Sequence, residues 1–233
     1  MMNLFKGKKI AIVVIVILIL FIGGYSLIKF NLINKWRYVC LKERELKELI
    51  NKEPKTISDY ITLGHMYISH KEYDKAIKSF EEAKSINPNN PDIYMHLANA
   101  YCFKEKFNKA IKEIKKAMKI DSSNPNIYMR LADIYGLKSS ITTSAKEKES
   151  LLDKALTYAE KSVNLSPNDP FLHHQLGFLY EQRGLLNKAL ISYKKAIKIS
   201  NSILAVSQLK EAEEIKNDSL EAYNRVKKLN KVK

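Results

Sequence analysis

The sequence predicts an all-α fold: a solenoid of antiparallel helix pairs, preceded by one N-terminal transmembrane helix. Three observations predict it. A charge-free apolar run lies near the N-terminus, a short pattern recurs every 34 residues, and turn residues are scarce, with seven Gly and six Pro in 233 residues. That scarcity argues against Rossmann and barrel enzymes, whose many strands must be separated by turns. An apolar content of 45% with 28% charged residues excludes a disordered chain. Two cysteines exclude a disulfide-dense secreted scaffold.

The chain carries 40 Lys+Arg against 25 Asp+Glu, a formal net charge of +15. Residues 1–56 hold 11 basic and 4 acidic side chains, and the remainder 29 and 21. A basic excess spread in this way fits contact with anionic lipid or acidic partners. It does not fit nucleic acid. The arginines are few (Arg37, Arg44, Arg130, Arg183 and Arg225), and arginine is the side chain that reads bases and grips phosphate bidentately.

Residues 1–9 form a short basic tail with Lys6, Lys8 and Lys9. Residues 10–28, IAIVVIVILILFIGGYSLI, contain no charge. At ~1.5 Å per residue a helix of that length falls just under the ~30 Å of a hydrocarbon core. Lys29 follows the run, and Tyr25 and Trp36 lie near one interface. A cleaved signal peptide fits less well, because the run exceeds the ~7–15 apolar residues of such a segment and ends without a small-x-small site. The basic tail places the N-terminus in the cytoplasm and the bulk of the chain outside it, in a bacterial cell membrane. Residues 29–56 read as a juxtamembrane linker helix, with Trp36, Val39, Cys40, Leu46, Leu49 and Ile50 on a broken apolar face.

The recurring pattern appears in Tyr73-Asp74-Lys75-Ala76, Phe107-Asn108-Lys109-Ala110, Leu152-Asp153-Lys154-Ala155 and Leu186-Asn187-Lys188-Ala189. The first two strings are 34 residues apart, as are the last two; the middle gap is 45, or 34 plus an 11-residue insertion. Each string follows a helical stripe: Tyr60/Leu63/Gly64/Tyr67, Tyr94/Leu97/Ala98/Tyr101, Tyr128/Leu131/Ala132/Tyr135 and His173/Leu176/Gly177/Tyr180. Large residues at i, i+3 and i+7 share one face, and the small residue at i+4 lets a second helix approach. Asn90-Pro91, Asn124-Pro125 and Asp169-Pro170 place a capping acceptor before a first-turn proline, and Thr56 with Asp59 forms a weaker analogue. Helices are therefore expected to start near 57, 73, 91, 107, 125, 151, 170 and 186.

These positions resemble the tetratricopeptide repeat (TPR) family over residues 57–202. The units are 57–90, 91–124, 125–169 with the insertion, and 170–202; His173, Asn201 and Ser122 depart from the family pattern. The resemblance implies a right-handed superhelix whose first helices line a concave groove. Residues 203–233 read as capping helices, with Ile203–Ile215 and Leu220–Leu229 as an off-pattern hairpin, because terminal repeats must cover an otherwise exposed apolar face.

The candidate partner-binding residues implied by this resemblance are Ile61 and His65, then Met95, Asn99 and Phe103, then Met129, Arg130 and Asp133, and finally His174 and Phe178. Such a mixed lining suits an extended peptide or a helix held mainly in apolar pockets. A variant of the family holds a C-terminal carboxylate with Lys and Asn of the first helices. Here only Arg130 fits that pattern, and Ile61, His65 and Asn126 depart from it. Residues 139–150, SSITTSAKEKES, read as a Ser/Thr-rich insertion loop between the two helices of the third unit.

No catalytic set emerges. The five histidines lack partners at metal-ligand spacing, there is no CxxC, and no phosphate-binding glycine loop is present. The chain is expected to be no enzyme and to need no metal or cofactor. Two functional readings follow. One is a membrane-tethered interaction scaffold binding a protein or peptide ligand, in envelope or secretion-complex assembly, with self-association left open. The other is an organellar import or targeting receptor with cytosol-facing repeats. The abundance of Lys, Ile and Asn points to an AT-rich bacterial genome and favours the first.

Overall fold

The computed structural model describes residues 56–205 and 209–231, together with Glu48. The anchor expected at 10–28 and nearly all of the linker lie outside the described residues. Among those described, no helix is long and apolar enough to cross a membrane.

The described chain is all-helical. The helices are α1 (Ile57–Ser69), α2 (Tyr73–Ile86), α3 (Pro91–Phe103), α4 (Phe107–Ile120), α5 (Pro125–Ile141), α6 (Ala145–Leu165), α7 (Pro170–Gln182), α8 (Leu186–Leu204) and α9 (Lys210–Lys231). Consecutive helices pair as antiparallel hairpins, and the pairs stack in chain order. The first helices of neighbouring pairs touch, α1 with α3 and α3 with α5, more closely than the second helices do. Such a stack curves toward its first helices.

Each first helix begins on a built cap. Thr56 and Asp59 close a reciprocal capping box. Asn90, Asn124 and Asp169 accept from the backbone of α3, α5 and α7, each just before a proline in the first turn. The tight turns after α1, α3 and α7 need a left-handed residue. Lys71, Glu105 and Gly184 supply it at φ of 62°, 55° and 79°, and only glycine does so without steric penalty.

The third unit departs from the expected loop. Helix α5 has 17 residues where α1, α3 and α7 have 13, and α6 has 21 where α2 and α4 have 14. Those four and seven extra residues absorb the whole insertion. Residues 142–144 form a connection as short as those in the other units. The second helix therefore starts at Ala145 rather than near 151. Ser144 caps it by accepting from Glu147, and Lys/Glu-rich sequence propagates a helix that no apolar stripe announces. The expected C-terminal hairpin is also corrected. Helix α8 runs on to Leu204, and α9 is one uninterrupted helix through Asn217. It buries Ala212, Ser219, Ala222 and Val226 in a single helical stripe.

The core runs along the stack as three clusters. One is built around Phe80, Ile93 and Leu97, the next around Ile114, Ile127 and Leu131, and the last around Leu172, Tyr193 and Val226. Size complementarity tunes each hairpin. Gly64 faces the Phe80 ring and Gly177 the Tyr193 ring. Where the small position is Ala98 or Ala132, the corresponding second-helix residue is the smaller Ile114 or Ala159.

Polar ties recur between repeats. Asp74 accepts from Lys104, Asn108 from Lys138 at 3.2 Å, and Asp153 from Arg183 at 2.7 Å. Asn187 accepts from Asn230 of α9 at 2.8 Å. The Asp or Asn before each Lys-Ala thus clasps the next unit, and α9 supplies the last partner. A second device repeats at the turns. The Tyr94 hydroxyl donates to the Pro88 carbonyl at 2.7 Å and the Tyr128 hydroxyl to the Ser122 carbonyl at 2.9 Å. His173 donates through Nε2 to the Pro167 carbonyl at 2.9 Å. The off-pattern histidine therefore preserves the tyrosine's bond, and the carbonyl's acceptor role fixes its Nε2–H tautomer.

Candidate functional site

The candidate groove residues lie on first helices, and their exposure divides them. Phe103 and Phe178 are 49% and 43% exposed, large for apolar side chains. Ile61, Met95, Asn99, Asp133 and His174 are partly buried, and His65 and Arg130 are exposed. Met129 departs from the expectation. It is 3% exposed and belongs to the core cluster with Leu172 and Leu176, because the third and fourth units close over it.

Near the start of the groove, rings gather. His65 stands edge-on to His96, with centroids 4.6 Å apart and planes at 90°, and Phe80 stacks on His96 at 5.4 Å. Desolvation lowers the pKa of both imidazoles, partial at the exposed His65 and stronger at His96, which falls to about 4 with the His65 neighbour adding to the effect. Both are neutral at pH 7. Further along, Phe103 stacks against Tyr73 with planes 4° apart, a ring pair spanning α3 and α2. Burial also pushes the Cys102 thiol up to about 11, which leaves it unreactive.

A concavity lies between α5 and α7. It measures about 440 Å³ and is lined by Arg130, Asp133, Gly136, Leu137, Ser140, Gln175, Phe178, Leu179 and Gln182. Three of the residues named from sequence, Arg130, Asp133 and Phe178, meet here. Ser140 was not legible as a groove residue, because residues 139–150 read as a loop, and Leu137 was passed over although it stands 34 residues after Phe103. Ser140 is presented because α5 continues for an extra turn beyond Leu137, which ends the regular 13-residue length and is 50% exposed. Desolvation raises the Asp133 carboxyl to about 6 against a partial counter-pull from Arg130. The Arg130 guanidinium lies 3.7 Å from it, an ion pair too long for a hydrogen bond.

The last unit is tied to the cap instead. Glu181 receives Arg225 of α9 through two bonds of 3.0 Å and the Tyr193 hydroxyl at 3.0 Å. His174 bonds Ser219 at 2.9 Å. His174 is therefore a docking contact for α9, and it also lines a cavity of about 430 Å³ with Phe171, Gln175 and Glu211. Among the described residues, no group of three or more His, Cys, Asp or Glu is placed to hold a metal ion.

The repeat register, the capped first helices and the small-to-aromatic hairpin contacts converge with the comparisons to known proteins. The family described as TPR repeat matches residues 64–102 and 98–139, and that described as tetratricopeptide repeat matches 172–203. Residues 64–139 and 172–203 are thus similar to tetratricopeptide repeats. Among solved structures, a thermophilic TPR protein of Thermus thermophilus, TTC0263, superposes with a TM-score of 0.57 at 22% identity, over 73% of this chain and 90% of that one. MamA superposes at 0.51 with 22% identity, over 68% and 86%. A MamA RS-1 double mutant gives 0.52 with 17% identity, over 74% and 94%. At these identities the likeness is one of fold: an all-α solenoid of paired antiparallel helices. A comparison with curated proteins finds no match. Tetratricopeptide-repeat proteins act in general as non-catalytic scaffolds that bind proteins or peptides.

Proposed function

We propose that this chain is a membrane-tethered interaction scaffold that holds a peptide or helix of a partner protein against the first helices of its repeats, in envelope or secretion-complex assembly. Residues 10–28 cross the bilayer once, residues 1–9 stay in the cytoplasm, and the repeats, wound as a right-handed superhelix, stand outside it. The observation that carries the capture role is the α5–α7 concavity, with Phe178 and Leu137 exposed at 43% and 50% beside it. Large apolar side chains held open to solvent in an otherwise well-packed repeat are what a partner buries. Each is worth ~1.5–3 kcal/mol on full burial.

The test changes Met95 and Phe178 singly to Ala in the full chain. Partner capture is followed by cross-linking in membranes, and thermal stability in parallel. A loss of recovered partner of about tenfold or more with a small fall in Tm supports capture, since burial of one such ring accounts for it. A large fall in Tm with unchanged capture assigns both residues to inter-repeat packing and overturns the groove.

A further inference from the structure

Charge is not distributed evenly between the two sides of the stack. The first helices α1, α3, α5 and α7 carry the acids Asp59, Asp92, Asp133 and Glu181 against only Arg130 and Lys138. Two of the second helices are strongly basic: α4 has five lysines against Glu113, and α8 has four lysines and no acid, whereas α2 and α6 balance their lysines with as many acids. A chain of net charge +15 thus presents a weakly acidic surface where its groove lies. Two of those acids have assigned work, Asp59 in the capping box and Glu181 under Arg225. Asp133 sits in the α5–α7 pocket with Arg130 at 3.7 Å as its ion-pair partner. A carboxylate drawn out of water without close donors is held at a free-energy cost that an entering donor relieves.

Around it the pocket offers what a long cationic side chain needs. Phe178 and Leu137 give an apolar wall and a ring face for an alkyl or guanidinium stem. The side-chain oxygens of Gln175, Gln182 and Ser140 can accept the remaining N–H groups. Arg130 also lines the pocket, but its side chain is 45% exposed and water screens it. Resting on the reading of this groove as the capture surface, we propose that the α5–α7 pocket takes a lysine or arginine side chain from an otherwise apolar partner segment, with Asp133 as its counter-ion. The basic α4 and α8 repel the same segment, so a cationic partner is directed to the groove side.

The experiment uses the full chain in detergent micelles and a random dodecapeptide display library, cleared beforehand on empty micelles. Selected peptides are expected to be enriched in Lys or Arg among apolar residues. Asp133→Asn should lose that enrichment while still selecting apolar peptides, with an unchanged helical circular dichroism spectrum. In a selected peptide made synthetically, replacing the basic residue by norleucine should weaken binding to the parent chain about tenfold or more, the scale of one charge-assisted bond. The same replacement should change binding to Asp133→Asn little. Selections that are purely apolar overturn the basic residue but leave groove capture standing if Phe178→Ala abolishes them. Selections rich in Asp or Glu also overturn it and make Arg130 the anchor. Enrichment in Lys or Arg that persists in Asp133→Asn removes Asp133 from the role. No peptide recovered above background refutes both the pocket and the capture reading.

Discussion

Replacing Gly64 by Ala tests whether hairpin closure in the first unit is set by a ring pressed on a helix backbone. A Cβ at position 64 would lie 2.4 Å from Cε1, 2.6 Å from Cζ and 2.8 Å from Cδ1 of Phe80, where ordinary contacts begin near 3.4 Å. The ring has little room to tilt: Phe80 is 0% exposed and is flanked by His65 and His96, each with its centroid 5.4 Å away. Overpacking of this kind costs about 1–3 kcal/mol, while Ala for Gly in a helix interior returns roughly 0.5–1 kcal/mol. The net expectation is a loss of about 1–2 kcal/mol, read as a fall in Tm of about 2–4 °C per kcal/mol for a domain of this size. The assay is urea and thermal unfolding followed by helical circular dichroism. The double variant Gly64→Ala/Phe80→Ile installs the pair that the second unit carries as Ala98 and Ile114. Its loss should fall short of the sum of the single losses by about 1 kcal/mol or more. A Gly64→Ala chain more stable than its parent, or single losses that add within ~0.5 kcal/mol, would falsify the steric account.

Three further outcomes are expected. Asp133→Asn should stabilise the chain on the order of 1–2 kcal/mol above pH 6 and make no difference near pH 3.5. The folded carboxyl, raised to about 6, holds its proton where the unfolded one has lost it, so the parent loses stability as pH rises from ~4 to 6; the figure is discounted because the group is partly solvated. A difference that does not change with pH, by unfolding at pH 3.5 and 7.5, would defeat this reading. His96 works in the opposite sense: its pKa is lowered to about 4, so its contribution is complete above ~6.5 and is lost as pH falls toward 4. His96→Gln should therefore show a shallower acid decline than the parent. Full-length chain should stay in the membrane pellet after carbonate washing, and protease added to spheroplasts should digest the repeats; recovery in the wash rejects the anchor, and protected repeats reverse the topology.

Much of the architecture is legible in one dimension because stacked units repeat the same contacts. The helices starting at 57, 73, 91, 107, 125, 170 and 186 stand where the 34-residue register puts them. Periodicity fails at residues 139–150, where the extended α5 and α6 are largely solvated, so no apolar stripe marks them and only Ser144 as a cap and the Lys/Glu content signal helix. It fails again at α9, where Asn217 and Asp218 look like a break but simply face solvent in mid-helix. The lining of the α5–α7 concavity was half legible. Register position selects Asp133 and Phe178, but it cannot tell that Met129 will be closed over by the next unit, since that depends on how two repeats pack. The inter-repeat clasps were missed for a related reason. Asp74 with Lys104 and Asp153 with Arg183 are each 30 residues apart, a pairing that appears only once the strings before each Lys-Ala are read against the following unit.

The groove also has a direction. His65, Asn99, Asp133 and Phe178 occupy one register position, separated by 34, 34 and 45 residues, so they form a row along the stacked first helices. Partial desolvation lowers the pKa of His65, Asn99 offers an amide, Asp133 is the charged member, and Phe178 is an exposed ring. A segment laid along that row meets weak polar contacts first, then an anionic pocket, then an apolar face. Reversing the segment would set its apolar end against the histidine and amide positions and carry its cation away from the carboxylate. Each mismatch leaves a polar group desolvated without a partner. The insertion strengthens the asymmetry, because the extra turn of α5 adds Ser140 to the pocket wall and the other first helices have no such extension. Recognition built in this way depends on the order of side chains in the partner as well as on their apolar area. On the same geometry, a selected peptide with its sequence reversed should bind more weakly than the original although its composition is unchanged.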